Sequence, residues 1–265
     1  MNIKESIILL CILLLNGCGT NSNEMKKIIF LHHSTGQSVW VGKTNKYLYR
    51  LTGKGDVQRY IDKYNKEKKT NYFIKEQVFP KSSPYGWSNY PYDYYNIWVK
   101  NGGQDYYMEE PTLELLTKEY DVIIFKHCYP VSLIQADISS PDADSDIKSV
   151  ENYQSQYAAL KTKMHEFHGT RFILWTPAVN TKHLMTEEEA VRTRQFRDWI
   201  VNEWDEKGDN IFVWDFYELE TEGGLYLKDK NALSPVNSHP GKLFAGEAAL
   251  LFGKFITDVI AGEIE

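Results

Sequence analysis

Three runs in this chain, Ile28-Ile29-Phe30-Leu31, Val122-Ile123-Ile124-Phe125 and Phe172-Ile173-Leu174-Trp175, are apolar at every position. A strand with one wet face alternates apolar and polar residues. A strand without alternation has both faces covered, as in a parallel sheet between two helix layers. With two more mixed runs, the expected strands are Lys27–Leu31, Tyr72–Phe79, Asp121–Phe125, Arg171–Trp175 and Asn210–Trp214. Helical patterns lie between them. Val57, Tyr60, Ile61 and Tyr64 share one face, and Val150, Tyr153, Tyr157, Leu160, Met164 and Phe167 recur at three and four. Thr186-Glu187-Glu188-Glu189 reads as a capping box ahead of Phe196, Ile200 and Trp204. A last helix carries Phe244, Ala248, Leu251, Phe255 and Val259 on one stripe. Strand and helix alternate, so the expected fold class is α/β, a three-layer α/β/α sandwich on a five-stranded parallel sheet.

The first residues read as a targeting segment. Met1–Lys4 is short and basic, Ile7–Leu15 is almost wholly apolar, and Asn16-Gly17-Cys18 follows. The apolar stretch is too short to span a bilayer, which takes ~20 residues. Leu15-Asn16-Gly17-Cys18 resembles the lipobox of bacterial lipoproteins. That resemblance implies cleavage before Cys18 and lipidation of its sulfur; an ordinary secretory signal is the alternative. The expected organisation is therefore a signal peptide over 1–17, a tether over 18–26 and one domain over 27–265. The protein is expected to be exported, and anchored to a bacterial membrane in the periplasm or at the cell surface. The leader carries one lysine and one glutamate, so the remaining chain keeps the net charge of −6. There is no basic excess to attract nucleic acid. If Cys18 is lipidated, Cys128 has no cysteine partner and the core alone must hold the fold.

Two stretches break the alternation and are expected as surface loops. Ser139–Asp146 is rich in Ser, Asp and Pro. Pro80–Gly103 carries Tyr85, Trp87, Tyr90, Tyr92, Tyr94, Tyr95 and Trp98. Following the second strand, it should overhang the carboxyl edge of the sheet. Its aromatic residues either pack the loop against itself or form a stacking platform for sugars.

The chemistry gathers where the strands end. The first strand stops at His32-His33-Ser34-Thr35-Gly36, and Ser238-His239-Pro240 precedes the last helix in a loop bracketed by Pro235 and Pro240. In open α/β sheets the carboxyl edge is where ligands bind. A serine hydroxyl needs a base, and imidazole is suited to that work near neutrality. The bland readings are a serine helix cap and a structural histidine.

These two blocks, and the order of elements over nearly the whole exported chain, resemble the SGNH or GDSL-like hydrolases. The resemblance implies a flavodoxin-like sheet and ester hydrolysis, often of acyl groups on carbohydrates or lipids. It makes Ser34 the nucleophile and His239 the base, with the Ser34 N–H helping to hold the oxyanion. No cofactor and no metal is implied. The chain departs from the pattern in three places. His32-His33 stands where the family has Gly-Asp, Lys126-His127-Cys128-Tyr129 replaces the block with the oxyanion asparagine, and Val236 occupies the place of the acid.

The replacements open to the sequence are several. For the oxyanion and substrate they are His33, the Gly86 N–H, Lys126 and Asn180. For orienting His239 they are Asp215, Asp229 or a backbone carbonyl. A His32–Ser34 pair is a local alternative. A metal site from His32, His33, His127 and His239 has no recognisable ligand spacing behind it. Cys128 reads as a small buried hydrophobe. The expected activity is a serine esterase that deacylates a glycan or a small ester. The alternative is a non-catalytic glycan-binding lipoprotein on the same fold, and a third option is action on a phosphate or sulfate ester.

Overall fold

The computed structural model describes residues 24–136 and 140–264. The signal segment, Cys18 and Ser139 lie outside the described residues. The elements run β1 Lys26–His32, α1 Ser34–Val41, α2 Lys46–Thr52, α3 Asp56–Lys68, β2 Tyr72–Val78 and α4 Pro91–Tyr95, which runs on into a π-turn over Asn96–Lys100. A two-residue ladder, β3 Tyr106–Tyr107 with β4 Glu110–Pro111, leads to α5 Leu113–Glu119 and β5 Val122–Phe125. Then come α6 Val150–His165, β6 Arg171–Trp175 and α7 Glu187–Trp199 with a second π-turn, Ile200–Trp204. The chain closes with β7 Ile211–Trp214, α8 Phe216–Thr221, the hairpin β8 Ala232–Ser234 and β9 Asn237–Pro240, and α9 Lys242–Ala261.

The five strands expected from the sequence form one parallel sheet in the order β2-β1-β5-β6-β7. This is the flavodoxin-like order, with its switch point between β1 and β5. Register places Leu31 beside Gln77 on one side and Phe125 on the other. The residues that follow, His32–Ser34 and Lys126–Cys128, therefore emerge together at the carboxyl edge.

Period two divides the strands between two cores. Ile28, Phe30, Val122, Ile124, Ile173 and Trp175 face α1, α3 and α9. Ile29, Leu31, Ile123, Phe125, Phe172 and Leu174 face the layer built by α4 to α7. The Thr186–Glu189 capping box is formed on both sides. In α9 the inward stripe is Phe244, Ala248, Phe252, Ile256 and Val259. Leu251, expected inside, is 49% exposed, because the stripe advances by four rather than three at that point.

Pro80–Gly103 is not the surface loop expected. Its second half forms α4 and the π-turn, and Tyr94 and Trp98 are fully buried against Phe79 and Phe125. Trp87 and Tyr90 are buried as well. The Tyr94 hydroxyl donates to the Lys126 carbonyl at 2.9 Å. These rings pack over the ends of β1 and β5 on the second face, beside α6. Burying such large rings outweighs the weak local preference of a Tyr-rich segment. By contrast, the described part of the acidic Ser139–Asp146 stretch is irregular and largely exposed.

Candidate active site

α1 begins at Ser34, directly after β1, with His33 as its cap residue in extended conformation. Ser34 is exposed, and its Oγ lies 4.0 Å from Cys128 Sγ. The N–H groups of Ser34, Thr35 and Gly36 are the orphan donors of the first helical turn and find no acceptor among the described residues. An edge carrying free N–H groups and the positive end of a helix favours negative charge.

His239 lies on β9 rather than in a loop, and β9 packs against α1. Asn237 Oδ1 receives two bonds from it, the backbone N–H at 3.1 Å and the ring Nδ1 at 2.7 Å. A backbone N–H can only donate, so the amide atom between them is the oxygen, and Nδ1 carries the proton. The neutral ring therefore presents a bare Nε2 lone pair. Burial first, and then the nearby Lys126 charge, hold His239 below the usual imidazole value. The Tyr129 ring braces the imidazole edge-on at 5.4 Å, and its hydroxyl bonds to the Ser238 carbonyl. The Ser238 hydroxyl accepts from the Thr181 N–H at 3.0 Å. No Ser34–His239 hydrogen bond is formed among the described residues. Such bonds are often open until substrate arrives.

Lys126 leaves the end of β5 on the same face as α1 and is fully buried. Its Nζ lies 3.8 Å from Cys128 Sγ. Burial pushes the ammonium down, while Cys128 and Glu220 support it. Glu220, equally buried, accepts from the Val179 N–H at 2.9 Å, and burial pushes its carboxyl well above the ordinary range.

Several sequence candidates are committed elsewhere. Asp215 does not orient His239: it caps α8 and is held by Arg197 and by the Thr176 hydroxyl at 3.0 Å. Its strand-end position is that of a helix N-cap, and Arg197 of α7 takes the rest of its charge. The Gly86 N–H is not free for an oxyanion, because it donates to the Ser82 carbonyl at 2.7 Å across a turn. The Asn180 amide donates to Ser132 Oγ at 3.2 Å. His33 Nε2 bonds to the Pro80 carbonyl, so its ring ties the loop after β2 to the start of α1. Burial lowers His33, partly opposed by that bond.

The four candidate histidines sit in different settings. His32 is bound to Glu76 at 2.9 Å and to the His33 carbonyl, so the His32–Ser34 pair is not formed, and among the described residues the four do not gather into a metal cluster. His127 points into the opposite core between Tyr94 and Tyr157, with neither ring nitrogen bonded. The residue that sequence reasoning missed is Asn237. The Asn-x-His spacing was visible in the chain, but only the hairpin folds the amide back onto the ring.

No family model matches the chain, and no curated protein matches it. Among solved structures, a lipase from a goat rumen metagenome aligns over 86% of this chain and 97% of its own, at 15% identity and a TM-score of 0.46. The fold assignment rests on the strand order and register above, not on that likeness.

Proposed function

We propose that this protein is a serine esterase that removes short acyl groups from a glycan or a small ester. The observation that carries the reading is the Asn237–His239 pair: it fixes the proton on Nδ1 and leaves Nε2 basic, on a strand packed against the helix whose first residue is Ser34. In the proposed reaction Nε2 takes the Ser34 proton and Oγ attacks the ester carbonyl. The oxyanion is met by the first-turn N–H groups and the Lys126 charge. The alcohol leaves with the proton from Nε2, and water then releases the acid from Ser34.

The glycan part of the reading rests on the exposed Tyr85 and the half-buried Tyr92 and Tyr95, since Tyr94 and Trp98 are inside the core. Cys18 lipidation would present the enzyme as an exported, membrane-anchored lipoprotein, and a net charge of −6 argues against nucleic acid as a partner.

The test is release of nitrophenol from nitrophenyl acetate, and of acetate from acetylated glycans, by the full chain in detergent. Wild type should turn over, with Ser34→Ala and His239→Ala each lower by about a thousandfold or more. Equal turnover in wild type and both variants refutes the mechanism. A protein silent on every ester leaves the glycan-binding reading, which the absent Ser34–His239 bond favours.

A further inference from the structure

We propose that Cys128 is a peroxide-reactive modification site set beneath the Ser34 hydroxyl, with Lys126 as its built-in cation. The sulfur lies 4.0 Å from Ser34 Oγ and 3.8 Å from Lys126 Nζ. It retains 8% of its surface, next to the exposed Ser34, whereas Lys126 retains none. A buried ammonium is expected to be matched by oxygen acceptors or a carboxylate. Among the described residues Lys126 Nζ has neither within bonding distance, and the sulfur is its one partner. Glu220 acts on it only from farther away.

Both are contact distances for sulfur, and neither gives Lys126 Nζ an oxygen acceptor. One oxygen atom added to the sulfur would lie within reach of both groups. It supplies the acceptor that Lys126 lacks, and it engages the Ser34 hydroxyl at the same time.

The step balances. A sulfur electron pair attacks one oxygen of hydrogen peroxide, an S–O bond forms and the O–O bond breaks. The leaving oxygen takes a proton from Lys126 Nζ, which recovers one from the thiol. Thiol and peroxide become sulfenic acid and water: sulfur is oxidised by two electrons and peroxide is reduced. A cation beside the sulfur together with solvent access separates reactive from inert cysteines; Lys126 is the cation, and the surface that Cys128 keeps beside Ser34 is the access. Where Ser34 is the nucleophile, which rests on the reading above, the sulfenic oxygen occupies its hydroxyl and stops turnover.

The experiment treats the folded full chain with hydrogen peroxide, traps sulfenic acid with dimedone and locates the label by peptide mass. Cys128 is expected to label at least about tenfold faster than in the same chain unfolded in urea, and Lys126→Met to remove most of that advantage. Ser34→Ala should still label. Ester turnover should fall with peroxide, recover with dithiothreitol, and lose its peroxide sensitivity in Cys128→Ala. Slower labelling in the folded chain than in urea overturns the site, as does full-speed labelling in folded Lys126→Met. Labelled protein with undiminished turnover overturns the control of Ser34. If wild type never turns over an ester, the esterase reading has failed and the labelling rates alone decide the Cys128 site.

Discussion

Gly36 is the third residue of α1, with ordinary helical backbone, so Gly36→Ala should on propensity alone stabilise the helix by up to ~1 kcal/mol. The structure reverses the sign. A Cβ built on Gly36 falls 2.5 Å from His32 Cβ, 2.6 Å from its Cγ and 2.9 Å from its Nδ1. The nearest of these atoms is a Cβ, so no change of rotamer relieves the clash, and α1 must lift away from β1. His32 cannot give way cheaply either. It is 1% exposed, its ring lies 4.3 Å from Phe30, and it is bonded to Glu76 and to the His33 carbonyl. Overpacking of this kind costs about 1–3 kcal/mol, and loosening a charge-assisted bond adds about 1.5 kcal/mol or more. After the helix gain is set against these, a net loss of about 2 kcal/mol is expected. For a chain of this size that is a fall in Tm of roughly 4–8 °C. Urea and thermal unfolding of wild type and Gly36→Ala measure it. Because Ser34 rides on the same turn, ester turnover should fall even where the variant stays folded. Equal or higher stability in Gly36→Ala would refute the close packing of α1 on His32.

Asn237→Ala removes the acceptor that fixes the His239 tautomer, and kcat/KM should fall by about 10–100-fold with little change in Tm. The acid limb of the wild-type pH–rate profile should lie below 6.5, since burial and Lys126 hold His239 down. Lys126→Met should move that limb upward, and a profile that stays in place contradicts the assigned base. His127→Phe should be neutral or stabilising by about 1 kcal/mol at pH 7, because it removes two unpaired ring nitrogens from the core. The sign with pH follows from burial, which holds the folded imidazole well below 6.5. As pH falls through 6.5 the unfolded chain takes a proton that folded His127 does not, so wild type loses stability and His127→Phe should lose less. Parallel stability curves would disprove that account. Asp215→Asn should cost about 1 kcal/mol through the weakened α8 cap and the Arg197 pair, yet leave ester turnover intact. A collapse of turnover in a folded Asp215→Asn returns Asp215 to the catalytic machinery.

What the sequence determined by itself was whatever depends on neighbours along the chain. Unbroken runs such as Val122–Phe125 mark a strand covered on both faces, and the three-four spacing from Val150 to Phe167 marks a helix. Together they specify the parallel three-layer sandwich, and they bring Ser34 and Lys126 to one edge, because a strand's end is fixed by its own residues. Tertiary structure decided the partners. Asp215 and Asn180 follow adjoining strands at the carboxyl edge as plausibly as any catalytic residue does. Whether such a side chain meets His239 or Arg197 depends on which helix packs beside it. The Pro80–Gly103 stretch read as a surface loop, its rings packing the loop or forming a sugar platform, because composition is local, whereas the burial of Tyr94 and Trp98 is settled by how the segment packs on Phe79 and Phe125. Asn237 stands two residues from His239, yet its role required the β8–β9 hairpin to turn the amide onto the ring. Lys126 and Cys128 became a pair under Ser34 because β1 and β5 lie side by side, a pairing of segments about ninety residues apart. Long-range contacts of that kind follow from the packing of whole layers, which no local pattern encodes.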